Sequence, residues 1–591
     1  MLRRLLSLLL CLHLGLPAVF ADKARSLVPE NVLSLARLMG GDADDARLER
    51  VRVTHPDFKE ALRVHIPRRS KVDFNVQLRA RLTDGVSAQE VLLLEFWARM
   101  IESRDETGEG RASLVLEQSS APYTKVIPIY PWSVGPEWKK FVLPVRALKA
   151  LPAGEAVLHF RLGGAAQTLE FAGLRVQAFG PDHDLASLPP STLHITYAGR
   201  DANAPWRAEA EARIEKHRKA ELAVRVVDAD GRPLPNAEVH ARLVRHDFRF
   251  STAVDARALL ASEDEFSGSD RYREMIPQVA NMVTLENDLK WPQWERNSPR
   301  ALAALDWLRE HQLPVRGHVL FWPSWQRSPE DLRALASDPD ALRKRILDHA
   351  ETILTATRGL VGDWDVVNEP QTHFDILRVL GDDIMVEVFK LARRHHTGGH
   401  LFLNEALHFS QDAKLDEFER MALDLRRRGA PIDGLGFQCH YGGHLTPPAK
   451  IIRVLDRFAA HGFILQVTEF DIDLTDEQVQ ADYLRDFATA VFSHAAVDTL
   501  QLWGFWERRH WRPNAALWRK DWSIKPAGRA WLDLIHRQWS TDETLRTDAE
   551  GRAATRGFLG DYEIAVRHGD RGTTTSLKLT VGSAPTTITL R

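Results

Sequence analysis

Short apolar runs alternate with longer amphipathic stretches from Phe248 to about Trp539. We interpret eight of the apolar runs as strands, namely Phe248–Val254, Met282–Thr284, Pro314–Phe321, Trp364–Val367, His400–Leu403, Gly434–Phe437, Phe463–Val467 and Thr499–Trp503. Helical patterns lie between them at Arg300–Gln312, Pro329–Ala356, Asp383–His395, Leu415–Arg428, Lys450–Ala460 and Asp476–Ala495. Eight strand–helix units over roughly 290 residues predict a (β/α)₈ barrel.

The preceding part of the chain has a different pattern. Alternating runs occur at Ala61–Ile66, Val72–Val76, Leu92–Ala98, Ala112–Leu116, Phe141–Val145, Ala156–Leu162 and Leu174–Ala178. Short strands separated by turn residues predict an antiparallel β-sandwich. Glu95–Arg99 and Trp138–Phe141 resemble core strands of jelly-roll carbohydrate-binding modules. Tyr123, Tyr130 and Trp132 then form a sugar-stacking face or have a purely structural role, and the sequence leaves both alternatives open.

Two β-rich segments flank the predicted barrel. Leu222–Pro235 contains a strand and an Asp-Gly turn, and a second strand follows at Glu238–Val244. Thr547–Arg552 and Gly560–Val566 form a related pattern near the other end. Together these pieces resemble one small β-sandwich of the carboxypeptidase-regulatory type, with the barrel inserted in it; the alternative is two unrelated hairpins.

The predicted order of domains follows from these patterns. It is a signal peptide (1–21), a carbohydrate-binding-module-like sandwich (45–180), a linker and helix (181–219), the first strands of the small sandwich (220–247), the barrel (248–540) and the remaining strands of the small sandwich (541–591). A length of 591 residues is consistent with several domains.

Charge and the N-terminal residues restrict partners and location. A net charge of -3 argues against nucleic acid or an anionic membrane as a bulk partner. Arg3 and Arg4, the apolar run Leu5–Leu16 and the small residue Ala21 are typical of a signal peptide, so we expect a secreted or periplasmic protein. A lipoprotein signal at Cys11 is the alternative, although bulky Leu10 precedes it. After cleavage at residue 21 only Cys439 would remain, which excludes an intramolecular disulfide.

Polar side chains follow the predicted barrel strands. Asn368 and Glu369 end the strand Trp364–Val367, and Glu469 ends a strand 100 residues later in the sequence. In a (β/α)₈ barrel the C-terminal strand ends face the active site. Two glutamates on separate strand ends therefore indicate paired-carboxylate chemistry such as glycoside hydrolysis.

The phrases at these strand ends resemble family 10 glycoside hydrolases, whose best-known members are retaining endo-1,4-β-xylanases. The resemblance covers about residues 248–539. Its specific phrases are Trp364–Pro370 and Thr468–Asp471, supported by Glu286–Trp291, Arg316–His318 and Gln438–His440.

The resemblance implies a role for each matching position. Glu469 corresponds to the nucleophile, Glu369 to the general acid/base, and Asp471 to the residue that orients His440 against Glu469. Asn368 corresponds to the donor to the sugar 2-hydroxyl. The positions that match sugar contacts are Glu286, Asn287, Lys290, His318, Trp322, Asn368, Gln438, His440, Trp503 and Trp511. The chemistry needs no metal or cofactor, the expected partner is xylan or a related β-1,4 glycan, and we expect a monomer. Because Glu369 must begin protonated, we also expect its pKa to be raised.

Three places depart from the family pattern. Pro323-Ser324-Trp325 replaces the usual His-Ser-Gln, and Ala406 replaces a common Tyr. The segment Trp506–Trp511 is unusually basic, which leads to the hypothesis that Arg508 or Arg509 pairs with acidic side groups of a decorated xylan. The alternatives to xylan cleavage are the same chemistry on β-glucan or short xylo-oligosaccharides, and a non-catalytic carbohydrate-binding protein on a barrel fold.

Overall fold

The computed structural model describes residues 24–40 and 46–591. The predicted signal peptide, residues 1–21, lies outside these ranges. The chain divides into two compact units, Met1–Thr196 and Tyr197–Arg591. Within the described ranges, no helix has both the length and the apolar character needed to cross a bilayer.

The first unit is an antiparallel β-sandwich with one short helix, α1 (Val32–Leu35). Its strands are β1 (Arg25–Ser26), β2 (Arg37–Gly40), β3 (Arg47–Arg52), β4 (Glu60–Ile66), β5 (Val76–Arg81), β6 (Val91–Ser103), β7 (Gly110–Gln118), β8 (Tyr130–Val134), β9 (Lys139–Arg146), β10 (Ala156–Arg161) and β11 (Gln167–Ala178). One sheet has the order β3-β4-β11-β6-β9 with β1 paired to β11, and the other has the order β2-β5-β10-β7-β8. Alternate residues of both sheets face a common apolar core, as the period-two pattern predicts.

The aromatic residues of this sandwich correct one interpretation of the sequence. Trp132 is fully buried and packs against Phe96 and Phe141 at centroid distances of 5.2 and 4.7 Å, so it belongs to the core and cannot stack on a sugar. Tyr130 packs partly buried against the same core, whereas Tyr123 is 55% exposed. Of the two alternatives for these residues, the structural role applies to Trp132, and the three residues do not form one sugar-stacking face.

The second unit holds the remaining strands and most of the helices. Its strands are β12 (Lys219–Val227), β13 (Glu238–His246), β14 (Arg249–Val254), β15 (Met282–Leu285), β16 (Val315–Phe321), β17 (Asp363–Asn368), β18 (Leu401–Glu405), β19 (Gly434–Phe437), β20 (His440–Tyr441), β21 (Ile464–Ile472), β22 (Val497–Leu502), β23 (Asp542–Arg546), β24 (Arg552–Phe558), β25 (Gly560–His568), β26 (Arg571–Leu579) and β27 (Thr586–Thr589). Its helices are α2 (Pro205–His217), α3 (Ala256–Leu260), α4 (Ser269–Val279), α5 (Trp291–Glu310), α6 (Asp331–Ala334), α7 (Pro339–Ala356), α8 (Leu377–Leu380), α9 (Asp383–His395), α10 (Asp412–Arg427), α11 (Pro448–Ala459), α12 (Glu477–Ser493) and α13 (Pro526–Asp533).

The small sandwich is assembled from both sides of the barrel sequence. Strand β12 pairs with β24 and β27, and β13 lies between β23 and β25, which in turn pairs with β26. Thr547 joins the two halves directly, because its hydroxyl donates to Leu234 O at 2.6 Å and accepts from Ala237 N at 2.9 Å. Residues of both halves form one apolar core. The two flanking segments are thus parts of one β-sandwich rather than separate hairpins.

The barrel consists of eight parallel strands in the order β14, β15, β16, β17, β18, β19, β21 and β22, and it closes where β22 pairs with β14. The short strand β20 adds a further parallel pairing to β21. The predicted fold class is confirmed, with a (β/α)₈ barrel, an N-terminal sandwich and a split small sandwich. The strand ends differ from the sequence prediction by a few residues, most of all for β21, which continues through Glu469 to Ile472.

Polar groups occupy part of the barrel interior below the strand ends. The Arg316 guanidinium is fully buried, donates to Asp365 and Gln466, and lies 4.6 Å from the centroid of Phe402. The next residue of β16 is Gly317. A larger residue would not fit at this position, because its Cβ would lie 2.4 Å from the Trp364 ring. Asp365 also contacts His318 Nδ1 at 2.9 Å. This network fixes the base of the cleft at the barrel mouth.

Candidate active site

A cleft of ≈ 550 Å³ opens at the C-terminal ends of the barrel strands. It is lined by Glu286, Asn287, Lys290, His318, Trp322, Arg327, Glu369, Ala406, Leu407, His408, Gln411, Gln438, His440, Glu469, Trp503, Trp511 and Arg512. Every predicted site residue except Asn368 and Asp471 lines this cleft, and these two lie directly behind it.

Glu369 follows the last residue of β17 in a left-handed backbone conformation, with φ 55°. Such a φ is strained for a residue with a Cβ and persists only where neighbours hold it. The residue is 8% exposed; its Oε1 accepts a hydrogen bond from Gln438 Nε2 at 2.8 Å, and its Oε2 lies 3.2 Å from His373 Nε2. Each carboxyl oxygen thus has one nitrogen neighbour.

The pKa of Glu369 corrects the expectation from the sequence. Burial raises this pKa, but the hydrogen bonds from His373 and Gln438, with the charges of His373 and His318, outweigh burial and place it below the ordinary value. The predicted rise in the pKa of Glu369 is therefore wrong for the free protein.

Glu469 lies on β21 and is 5% exposed. Asn404 Nδ2 donates to its Oε1 at 3.0 Å, and His440 Nε2 lies 3.2 Å from its Oε2. Asn404 and His440 thus place one nitrogen beside each carboxyl oxygen of Glu469.

His440 lies between two carboxylates, as its predicted role requires. Its Nδ1 is 3.0 Å from Asp471 Oδ2, on the side of the ring away from Glu469. Burial lowers the pKa of His440, but the charge of Asp471 and its contacts with Asp471 and Glu469 raise it to about 9. Asp471 is itself fixed by Trp511 Nε1 at 2.6 Å and by Arg512 Nη1 at 3.3 Å.

Asn368 is fully buried behind the two glutamates. Its Oδ1 accepts from Asn404 Nδ2 at 2.8 Å, while its Nδ2 has no hydrogen-bond partner among the described residues. Asn404 in turn accepts from the Thr468 hydroxyl at 2.7 Å. Gly436 leaves room for this network, because a Cβ there would lie 2.2 Å from Asn404 Oδ1. The amide of Asn368 is left with a free donor.

The predicted sugar contacts from the early barrel strands cluster at one side of the cleft. Lys290 Nζ donates to Asn287 Oδ1 at 3.0 Å and lies 5.9 Å from the centroid of Trp322 and 6.0 Å from that of Trp503. Burial lowers the pKa of Lys290, and the charge of Glu286 opposes that change. Burial raises the pKa of Glu286, and Lys290 opposes it.

The two predicted indoles after β22 differ in exposure. Trp503 is 6% exposed and contacts the rings of His318 and His440 edge-on. Trp511 is 50% exposed and stands edge-on to His440 at 4.7 Å. Both therefore offer aromatic surface to the cleft, Trp511 with a free outer part.

Arg508 and Arg509, which the sequence suggested as partners for acidic side groups, lie outside the cleft. Arg508 donates to Ser267 O at 3.1 Å and packs on Phe266, and Arg509 forms an ion pair with Asp255 at 2.8 Å. Neither lines the cleft, so the structure does not place either arginine against a sugar bound there. Of the other departures from the family pattern, Ala406 does line the cleft.

Several site residues were not assigned a role from the sequence. They are His373, Asn404, Glu405, Arg327 and Arg512. The Asn404-Glu405 pair at the end of β18 was visible as a strand-end motif, and its position was the available signal. His373 lies four residues beyond Glu369 in a turn, and no periodic pattern marks it.

Glu405 is fully buried beside this turn. It accepts hydrogen bonds from Gln371 N at 2.8 Å, the Thr372 hydroxyl at 2.9 Å and Ala406 N at 2.8 Å. Burial raises its pKa to about 7, although these hydrogen bonds oppose the change. Glu405 thereby holds the turn that carries Glu369 and His373.

An eight-stranded parallel barrel with two buried glutamates at the C-terminal ends of two of its strands, β17 and β21, defines the class as a (β/α)₈ glycoside-hydrolase-type protein. Residues 241–534 match the model of glycosyl hydrolase family 10. The barrel of this chain belongs to that family.

Curated relatives extend this similarity. The anti-sigma-I factor RsgI6 of Acetivibrio thermocellus is 30% identical over 372 residues, which is 61% of this chain and 46% of that protein. Endo-1,4-beta-xylanase 1 of Arabidopsis thaliana is 26% identical over 365 residues, or 60% of this chain and 37% of that protein. Endo-1,4-beta-xylanase B of Paenibacillus barcinonensis is 26% identical over 311 residues, 47% of this chain and 90% of that protein. The chain spans less than half the length of the first two of these relatives.

Proposed function

We propose that the protein is a retaining endo-glycosidase that cleaves internal β-1,4-xylosidic bonds of xylan. The observation that carries the proposal is the pair of buried carboxyls in one cleft, each with different partners. Glu469 is held by Asn404 and His440, and Glu369 by Gln438 and His373. The xylanases named above, one of them matched over 90% of its length, support xylan as the substrate.

In the first step, Glu469 attacks the anomeric carbon and the bond to the leaving sugar oxygen breaks. Glu369 gives its proton to that oxygen, and a covalent glycosyl ester forms on Glu469. Substrate that fills the cleft displaces water around Glu369, and burial raises a carboxyl pKa, so protonation becomes easier in the complex than in the free protein.

In the second step, Glu369 takes a proton from water, which attacks the anomeric carbon and releases Glu469. Two inversions give net retention of configuration. The free Nδ2 of Asn368 is a suitable donor to the sugar 2-hydroxyl.

Single glutamate variants with azide test the assignment. Glu369→Ala should accumulate a glycosyl ester that azide attacks, giving a β-glycosyl azide. Glu469→Ala should form no ester, and azide should attack substrate directly, giving the α-anomer. The control Glu417→Ala changes an exposed residue of α10 and should match wild type. The same anomer from both variants, or full activity in either, would refute the assignment.

A non-catalytic role is the second candidate, since one relative is named as an anti-sigma factor rather than as an enzyme. The two intact glutamates argue against it. The two candidate functions are distinguished by measuring reducing-sugar release by the wild-type chain from linear xylan, glucuronoxylan and β-glucan. Release from β-glucan alone would change the substrate, and binding without release from any β-1,4 glycan would favour the non-catalytic role.

Export and sugar binding by the N-terminal sandwich complete the proposal. We infer export from the pattern of residues 1–21, and N-terminal sequencing of the mature chain tests it. A new terminus at Asp22 supports a signal peptide, and a lipid-modified Cys11 supports the lipoprotein alternative. Trp97 and Trp138, which pack with Phe58 outside the sandwich core, replace Trp132 as the aromatic residues to test for glycan binding.

A further inference from the structure

The loop after β16 carries a cation that the chemistry of the two glutamates does not use. Arg327 lines the cleft, and its guanidinium carbon lies 5.0 Å from the centroid of Trp322. Its side chain is exposed, and it forms no hydrogen bond or ion pair with another described residue. This is the same loop in which Pro323-Ser324-Trp325 departs from the family pattern.

The other arginines near the cleft are already engaged. Arg512 donates to Asp471 and to Tyr441 O, and Arg509 is paired with Asp255. Arg508 donates to a backbone carbonyl and packs between aromatic rings. Arg327 is therefore the guanidinium in this region that is available to a ligand.

No carboxylate among the described residues forms an ion pair with Arg327. Lys290 lies near the same Trp322 ring and adds positive charge, and the charge of Arg327 contributes to lowering the pKa of Lys290. The charge of Glu286 acts on Lys290, whose pKa it raises. A guanidinium beside an aromatic ring, open to solvent and without a carboxylate, is a suitable partner for a ligand carboxylate.

We propose that Arg327 binds the carboxylate of a uronic acid side group on the sugar chain, which makes it a specificity-determining residue for acidic xylan. The inference rests on the proposed function, since it assumes that a sugar chain occupies the cleft. An exposed pair of this kind contributes modestly, so we expect about a threefold to fivefold preference for the acidic substrate. The preference should fall as salt is raised, because the charges are screened.

The test uses the full chain and two matched substrates. These are glucuronoxylan and the same polymer after its uronic acid carboxyls have been reduced to primary alcohols. The measured quantity is the ratio of kcat/KM on the acidic polymer to that on the reduced polymer. We compare wild type, Arg327→Gln, Arg327→Lys and the control Arg508→Gln, whose side chain lies outside the cleft.

Wild type and Arg508→Gln should prefer the acidic polymer. Arg327→Gln should bring the ratio of kcat/KM values to about one. Arg327→Lys should retain part of the preference, because a positive charge remains. An unchanged ratio in Arg327→Gln, or no preference in wild type, would overturn this inference while the proposed function stands. No cleavage of either polymer or of linear xylan would overturn the proposed function and this inference together.

Discussion

The charge of His440 provides a prediction whose size follows from the structure. His440 lies between Glu469 and Asp471, and its pKa is raised from 6.5 to about 9. That difference corresponds to about 3 kcal/mol of stability. Because the folded-state pKa is the higher one, the contribution is complete below pH 6.5, declines as pH rises and is lost above about pH 9.

The perturbation is His440→Gln, which keeps a donor but cannot carry the charge. The substitution should lower the free energy of unfolding at both pH values. The loss relative to wild type should be about 3 kcal/mol larger at pH 6 than at pH 9.5. For a barrel of roughly 290 residues, the Tm difference between wild type and His440→Gln should therefore be about 5 °C larger at pH 6 than at pH 9.5.

The assay is thermal unfolding of both proteins from pH 6 to pH 10. The transition of the barrel is recognised because xylo-oligosaccharide raises its Tm. The control is His396→Gln, which changes a residue outside the cleft that directly follows α9 and whose Nε2 lies 2.6 Å from Gly362 O; its Tm difference from wild type should stay constant near pH 9. A Tm difference between wild type and His440→Gln that stays constant across this range would refute the reasoning.

Three further predictions concern the turn after Glu369 and the split sandwich. His373→Phe removes a hydrogen bond and a charge that lower the pKa of Glu369, so the alkaline limb of a pH profile of kcat/KM should move to higher pH; an unmoved or lower limb would contradict this. Glu405→Ala removes the acceptor of three hydrogen bonds and should lower the free energy of unfolding by about 1–3 kcal/mol at pH 6, below the raised pKa of Glu405, whereas exposed Glu417→Ala should change it little; equal effects in chemical denaturation would argue against a role of Glu405 in holding the turn. Deleting residues 541–591 removes the partners of β12 and β13 and should lower the Tm of the remaining chain, and an unchanged melting profile would show that the halves are independent.

The barrel and the two glutamates could be predicted because their signals are local. A buried strand is an apolar run, and a strand end is where that run gives way to polar residues such as Asn368-Glu369. Parallel topology then brings all C-terminal strand ends to one side of the barrel. The split sandwich was open to prediction for a similar reason, since its turn phrases are short and specific.

The partners of those residues could not be predicted in the same way. Asn404 reaches Glu469 across 65 positions of sequence, and this contact depends on barrel register and on the space left by Gly436. The sign of the pKa shift of Glu369 depends on His373, which lies in an irregular turn. Charge in the sequence also misdirected the search for a cation, because Arg508 and Arg509 are adjacent to cleft residues in sequence but not in space.

The sequence by itself determined the fold class, the family and the two carboxyls, because each depends on residue types over a few consecutive positions. Only the tertiary structure decided that Trp132 is core, that Glu405 holds the turn after Glu369, and that Arg327 rather than Arg508 enters the cleft. The physical reason is that burial, hydrogen bonding and charge compensation are properties of neighbours in space, and most of those neighbours come from distant strands.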